Sequence, residues 1–174
     1  MNVKGDKMNT LDLAQFFIEM SIQKNFETKN DKYLVDYEKV CGLIFIANHR
    51  MLNMYDIEVT KDSWKIDDDV IRPDSTPDFY IDFLNLQTDC YENNRFKINF
   101  INRFVKEILQ EVFEEYGKLS GNCIQWNLIK NYSVIEGNIP LAVIKHCSIL
   151  SCEEMESLWK FHISQNKIYM KARE

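Results

Sequence analysis

The chain has 174 residues and a mass of 20.7 kDa, which suits one compact domain better than two. A chain of this length buries enough surface to fold without a disulfide or a metal. Five glycines and three prolines supply few turns, which argues against an all-β sandwich or barrel and favours helices. The net charge of −6 disfavours a wide phosphate-binding surface, so we expect no direct binding of nucleic acid.

The sequence carries no signal for insertion into a membrane or for secretion. The longest apolar run, Val40 to Ala47, is far shorter than the roughly 18 residues that cross a bilayer. The charged N-terminus does not resemble a secretory signal, and Met8 is a second candidate for the first residue. Five cysteines without a CxxC spacing predict reduced thiols, and therefore a cytoplasmic protein.

The periodicity of apolar residues predicts a mainly α-helical domain of about six helices with one short β-hairpin. Helices are expected over residues 11–23, 36–54, 78–86 and 97–116, and after the capping residues Ser120 and Ser151. The segment 97–116 is predicted to be the longest of them. We expect a single domain over residues 11–165, between an N-terminal tail, 1–10, and a basic C-terminal tail, 166–174.

The second helix is apolar around much of its circumference, which predicts a central position in the core. Gly42 lies within it at a cost of about 1 kcal/mol against alanine, which suggests that another helix approaches closely there. His49, on the same helix, is expected to be a packing residue and not a catalytic base. Alternation in Ile57–Val59 and Trp64–Ile66 predicts the two strands of the hairpin, joined at Asp62-Ser63.

Motifs for catalysis and metal binding are weak. The chain has no glycine-rich phosphate loop, no G-x-S-x-G and no H-E-x-x-H. The run Asp67-Asp68-Asp69 lacks the alternating ligands and central glycine of an EF-hand, so a solvated acidic loop is expected. Zinc would accept two thiols and two imidazoles, but the spacing does not match known zinc fingers, and we predict no cofactor. These four residues are His146, Cys147, Cys152 and His162.

Charge is concentrated between residues 62 and 92. This segment holds nine acidic and two basic residues, a formal charge of −7, so the rest of the chain sums to about +1. A local negative field attracts basic partners and repels nucleic acid, although acids also accumulate in solvated loops for no functional reason. The predicted partner-binding acids are Asp67, Asp68, Asp69, Asp74, Asp78 and Asp82. The predicted aromatic anchors are Trp64, Phe79 and Tyr80, whose alternative place is the core.

Four segments, taken in order, resemble one known family. Leu11–Ala14 is similar to an opening L-D-x-A helix, and Lys39–Asn48 to a K-L-x-x-L-x-Y-x-A helix. Ile57–Trp64 resembles a pair of short segments ending in tryptophan, and Phe104–Ser120 a late helix with a Y-G-x-x-S close. Together these segments resemble the Panacea domain, an all-helical family typical of phage, prophage and toxin–antitoxin loci. The resemblance spans about Leu11 to Trp159.

The resemblance implies an interaction protein, commonly an antitoxin that binds and neutralises a partner toxin, and not an enzyme. The chain departs from the family at one turn. After the tryptophan strand the family usually has Gly-Pro-Val, whereas this chain has Asp68-Asp69-Val70, so the turn there must differ.

The sequence leaves several functional hypotheses open. The first is a non-enzymatic, antitoxin-like protein-binding module that neutralises a toxin or a host defence effector stoichiometrically through its acidic surface. A variant is a phage-encoded counter-defence inhibitor, of the CRISPR-inhibitor type, whose acidic face mimics nucleic acid. The second hypothesis is a metal-binding hydrolase that uses the histidine–cysteine set. The third is a structural protein that only self-associates, for example as a homodimer.

Overall fold

The computed structural model describes residues 7–74, 79–92 and 102–173, and the predicted mainly α-helical class with a short β-hairpin is confirmed. The described helices are α1 Thr10–Thr28, α2 Tyr37–Tyr55, α3 Phe79–Tyr91, α4 Arg103–Tyr116, α5 Gly121–Ile129, α6 Leu141–His146 and α7 Cys152–Arg173. A 3-10 turn, Asp31–Tyr33, precedes α2. The hairpin pairs β1, Trp64–Asp67, with β2, Val70–Pro73, in antiparallel register.

Helix α2 occupies the centre of the core, as its broad apolar surface predicts. Asp36 begins it by accepting a hydrogen bond from the backbone N–H of Lys39 at 2.8 Å, and Asp56 ends it in a left-handed conformation. All residues from 39 to 48 are buried. Helices α1, α4, α5 and α6 and strand β2 all pack against it. Every other element is therefore positioned relative to α2.

The close helix–helix approach expected at Gly42 is present, and the neighbour is α5. A Cβ atom built on Gly42 would lie 2.6 Å from Cγ2 of Ile124, much closer than two carbon atoms can pack. Ile124 is fully buried, so its side chain has no free space into which it could move. Glycine at position 42 therefore sets the distance between α2 and α5.

Lys39 is a charged residue inside this core, with only 2% of its surface exposed. Its amino group donates hydrogen bonds to the carbonyl oxygens of Lys32 at 2.8 Å and Leu34 at 3.2 Å. These bonds tie the 3-10 turn to the start of α2. Burial disfavours the charged form and lowers the pKa of the Lys39 amine to about 8.

The hairpin lies one segment later than predicted. Trp64–Ile66 does form a strand, but its partner is Val70–Pro73 and not Ile57–Val59. The turn is made by Asp68 and Asp69, whose φ angles of 50° and 60° are the positive values that a two-residue type I′ turn requires. Aspartate tolerates this left-handed region better than most residues, so the turn forms without a glycine.

The segment predicted as an N-terminal tail is attached to the fold over its described part. The backbone of Met8 pairs with the segment around Thr60, donating from its N–H to the carbonyl of Val59 at 2.8 Å. Thr10 is buried and its hydroxyl hydrogen-bonds with Thr60 and Asp62. The segment 57–62 therefore pairs with the N-terminal segment and does not pair with β1.

Several predicted helix bounds also need correction. Helix α1 continues to Thr28 and not to residue 23, and α3 continues to Tyr91 and not to residue 86. Helix α4 begins at Arg103, because Asn102 has a non-helical backbone conformation and its side chain caps the helix by accepting from Phe104 N–H at 2.8 Å. The predicted residues 97–101 lie outside the described ranges. The longest described helix is α7, whose 22 residues include most of the segment predicted as a basic tail, and the short helix α6 was not predicted.

Replacing Gly42 by alanine should lower the free energy of unfolding by about 1–2 kcal/mol, because overpacking against Ile124 outweighs the gain in helix propensity. Urea unfolding of the wild type and Gly42→Ala measures this loss. In an Ile124→Ala background the same Gly42→Ala change should be neutral or stabilising, because the clashing methyl group is gone. Equal stability of Gly42→Ala and the wild type would contradict the close approach.

The lowered pKa of Lys39 predicts that the free energies of unfolding of the wild type and of Lys39→Met differ by an amount that depends on pH. Between pH 8 and 10.5 the folded wild type has released this proton while the unfolded chain still holds it, so rising pH favours folding. The free energy of unfolding of the wild type should therefore rise relative to that of the variant by up to about 3 kcal/mol over this range. Urea unfolding at intervals from pH 7.5 to 10.5 tests this, and a constant difference would contradict it.

Candidate functional site

Two of the three predicted aromatic anchors belong to the core. Trp64 is 1% exposed, with its ring edge-on to Phe45 at 5.2 Å between centroids. Phe79 is 5% exposed and packs against Tyr37. The prediction that these two side chains touch a partner is wrong, because both are buried within the protein itself. Tyr80 is 50% exposed, so it alone of the three is accessible.

Two of the predicted partner-binding acids are engaged within the hairpin. One carboxylate oxygen of Asp67 accepts from Nη2 of Arg72 at 2.7 Å and from its Nε at 3.1 Å. This guanidinium lowers the pKa of Asp67. Asp74 forms an ion pair with Lys65 at 3.3 Å. The two bases of the acidic segment therefore offset Asp67 and Asp74, which weakens the prediction that these acids meet a partner.

Three other predicted acids are free to interact. Asp68 and Asp69 are exposed at the tip of the hairpin, and Asp82 is exposed on α3. Within the described ranges, none of the three has an ion pair or a side-chain hydrogen bond. Asp78 lies outside the described residues. The accessible negative charge of this segment is therefore concentrated at the hairpin turn and on α3.

Tyr37 joins the hairpin to the start of α3. Its ring lies edge-on to Tyr80 with 4.9 Å between centroids, and its hydroxyl is close enough to Arg72 and Asp67 to feel their charges. Glu38, the residue after Tyr37, lines the same groove as Asp68 and Asp69, so Tyr37–Glu38 connects the turn carboxylates with Tyr80. We call the surface formed by Glu38, Asp67, Asp68, Asp69 and Tyr80 the acidic face.

A groove of about 560 Å³ opens beside the hairpin turn, between the turn and helices α5 and α7. Three carboxylates line it, and three aromatic rings form another part of its wall. We call it the aromatic groove. The charged and aromatic residues that line it are Glu38, Asp68, Asp69, Trp126, Lys130, Trp159 and His162. The sequence analysis did not predict this groove.

Trp126 forms the aromatic surface at the centre of this groove. The His162 ring stacks on it at 4.4 Å between centroids, and Trp159 tilts against it at 5.7 Å. The amino group of Lys130 lies 3.3 Å from the centroid of the Trp126 ring, in a cation–π contact. These neighbours hold the Trp126 ring in one orientation before any ligand arrives.

Gln125 connects the elements around the groove. Its amide nitrogen donates to the carbonyl of Glu38 at 2.9 Å, while its amide oxygen accepts from the N–H of Ile71 at 2.8 Å. The side chain is buried, so these bonds are protected from water. Gln125 thereby holds the first turn of α2 and strand β2 against α5, which places the turn carboxylates beside the tryptophans.

The structure does not group the two histidines and two cysteines that zinc would accept, for which the sequence predicts no metal site. Cys152 is buried at the start of α7, His162 stacks in the aromatic groove, and His146 is exposed at the end of α6. Among the described residues, no three His, Cys, Asp or Glu side chains are grouped to hold a metal ion. His49 donates from Nε2 to the carbonyl of Cys147, and burial lowers its pKa, which fits the predicted packing role.

The acids of α4 form a second negative surface, but basic side chains accompany them. Arg50 of α2 pairs with Glu115 at 2.8 Å and with Glu111 at 3.9 Å. Lys24 of α1 lies 3.7 Å from Glu114. These acids are therefore partly neutralised, unlike Asp68 and Asp69. What distinguishes the aromatic groove chemically is the pairing of unneutralised carboxylates with an aromatic surface, which suits recognition of a positively charged group.

Comparison with family models, with curated proteins and with solved structures finds no match to this chain. In the part of the chain that the structure describes, no helix combines the length and the apolar composition needed to cross a bilayer. The described cysteines are all free thiols, and four of them are buried.

The scattered metal set predicts that purified protein contains only substoichiometric zinc. Unfolding temperatures with and without a chelator should agree, because the described residues offer no group of ligands through which a metal could stabilise the folded state. Elemental analysis and thermal unfolding in EDTA measure both. One equivalent of zinc in the wild type, absent from both Cys152→Ala and His162→Ala, would contradict this placement of the residues.

Proposed function

We propose that this protein is a non-enzymatic, cytoplasmic protein-binding module that neutralises a partner protein by stoichiometric binding through the acidic face. The observation that carries the proposal is the exposure of Asp68 and Asp69 at the hairpin turn, where no basic side chain of the described residues forms an ion pair with them. A basic surface of a toxin or a host defence effector is the expected counterpart.

The physical support is electrostatic. Exposed charges of one sign steer an oppositely charged partner and raise the rate of association. Asp67 and Asp74 contribute less to this field, because Arg72 and Lys65 lie beside them. The turn presents its two free carboxylates at the end of a paired strand, so little conformational entropy is lost when a partner binds.

An exposed aromatic side chain accompanies these charges. Tyr80 is half exposed, yet its ring is held against Tyr37 and cannot move freely. Rigid, partly exposed tyrosines are frequent hot spots in protein interfaces. Tyr80 is therefore the anchor that we expect to contribute most of the apolar contact at this face.

The resemblance to the Panacea domain agrees with this proposal and stays a prediction. A counter-defence inhibitor would use the same exposed carboxylates, presented to a nucleic-acid channel in place of phosphates. The two versions differ in the partner and not in the surface of this protein. The separation of His146, Cys147, Cys152 and His162 leaves the metal-hydrolase hypothesis without a site among the described residues.

Affinity capture from the native host, followed by titration with the captured protein, tests the proposal. The wild type should form a complex of fixed stoichiometry and inhibit the captured protein in proportion to the amount bound. Asp68→Asn/Asp69→Asn should weaken binding about tenfold and reduce its salt dependence, because two steering charges are lost. Asparagine also accepts the left-handed conformation, so the turn is kept.

Glu107→Gln/Glu114→Gln is the matched control for this experiment. It removes the same charge from exposed positions of α4 that do not line the aromatic groove. It should bind the captured protein as the wild type does. Equal affinity and equal salt dependence for both double variants would rule out the acidic face as the binding surface.

A further inference from the structure

We propose that the aromatic groove is a seat for one arginine or lysine side chain of the partner, which binds by replacing Lys130 on the face of Trp126. This inference rests on the proposed function and assigns to it the chemistry of the contact. The occupant is a cationic side chain carried by an extended basic segment of a protein.

The position of Lys130 shows that the Trp126 face accepts a cation. Its ammonium group lies 3.3 Å from the ring centroid, and it forms no ion pair within the described ranges. Lys130 is exposed and lies at the end of α5, where its side chain can turn into water. An exposed cation–π contact contributes only about 0.5–1 kcal/mol, so a better-placed cation can displace it.

The charge around the groove favours a cation and disfavours an anion. Glu38, Asp68 and Asp69 line it with three carboxylates, against the single ammonium of Lys130. When the partner's side chain replaces Lys130, the ammonium group of Lys130 leaves the Trp126 ring. The three carboxylates then face the cationic group of the partner. A phosphate in the same place would meet these carboxylates at close range, which opposes binding of a nucleic acid.

Arginine fits the groove better than lysine does. A guanidinium is planar, so it can stack on the Trp126 ring while its edge donates paired hydrogen bonds to a carboxylate. The rim supplies those carboxylates at Asp68 and Asp69, neither of which has a partner in the described ranges. The volume of about 560 Å³ leaves room for neighbouring residues of the partner segment.

The aromatic surface is organised before the ligand arrives. Trp159 and His162 hold the Trp126 ring, while Gln125 fixes β2 and the start of α2 against α5. Binding therefore requires only that Lys130 move, and a preorganised site loses less free energy on association.

The experiment is a calorimetric titration with a short synthetic peptide in which arginine alternates with glycine. The same peptide with citrulline, a neutral isostere of arginine, is the ligand control. Trp126 and Trp159 line the groove whereas Trp64 is buried, so tryptophan emission provides a second readout. We expect the arginine peptide to bind and shift the emission, and the citrulline peptide to do neither.

Lys130→Met should tighten binding of the arginine peptide two- to fivefold, because the competing ammonium is removed. Lys106→Met removes the same charge from an exposed position of α4 and is the matched control, which should leave the affinity almost unchanged. Trp126→Leu should weaken binding about tenfold, with its thermal unfolding measured alongside. Equal affinities for Lys130→Met and Lys106→Met, or equal binding of the citrulline peptide, would overturn the proposal.

The experiments distinguish a wrong assignment of the aromatic groove as the cation-binding site from a wrong proposed function. If Asp68→Asn/Asp69→Asn weakens binding of the captured partner while Lys130→Met and Trp126→Leu match the control, the seat is overturned and the acidic face stands. If the peptide behaves as expected while the captured partner ignores Asp68→Asn/Asp69→Asn, the seat stands and the proposed function fails. Tighter binding of a single-stranded thymidine oligonucleotide than of the arginine peptide would also overturn the seat.

Discussion

Close packing of α2 against α5 is the constraint on which the rest of the structure depends. The absence of a side chain at Gly42 lets Ile124 sit directly against the α2 backbone. That short distance brings Gln125 within hydrogen-bonding reach of Glu38 and Ile71. The hairpin, the first turn of α2 and the tryptophan of α5 then share one surface. A larger separation would break the bonds of Gln125 and with them the walls of the groove.

The negative charge of the acidic face depends more on which carboxylates form ion pairs within the protein than on the number of acidic residues in the segment. The count of acids in segment 62–92 treats every carboxylate as equal, but Arg72 and Lys65 offset two of them. What remains is a pair of carboxylates on a turn whose backbone requires left-handed residues. Aspartate at both positions meets the backbone requirement and supplies the charge, although asparagine and glycine are the commoner choices for such turns.

The groove combines two kinds of surface that are weak alone. An exposed tryptophan attracts a cation modestly, and an exposed carboxylate contributes little because water screens it. Placed together in a concave site they act on the same ligand, and each excludes water from the other. The contact of Lys130 with Trp126 shows the first half of this arrangement within the molecule itself. The second half consists of the turn carboxylates Asp68 and Asp69, which form no ion pair with any basic side chain that the structure describes.

Local patterns in the sequence determined the helical class, the central position of α2, most helix caps and the close approach at Gly42. Each of these depends on residues within one turn or one helical period. The burial of Trp64 and Phe79 depended on Phe45 and Tyr37, which belong to another element, whereas the partner of β1 and the start of α4 depended on local turn and capping residues that the apolar pattern does not show. The groove could not be predicted, because Trp126, Trp159 and Asp68 come together only when α5, α7 and the hairpin pack. The spacing of apolar residues along the chain predicts which face of a helix is buried, whereas only the tertiary structure decides which residues pack against that face.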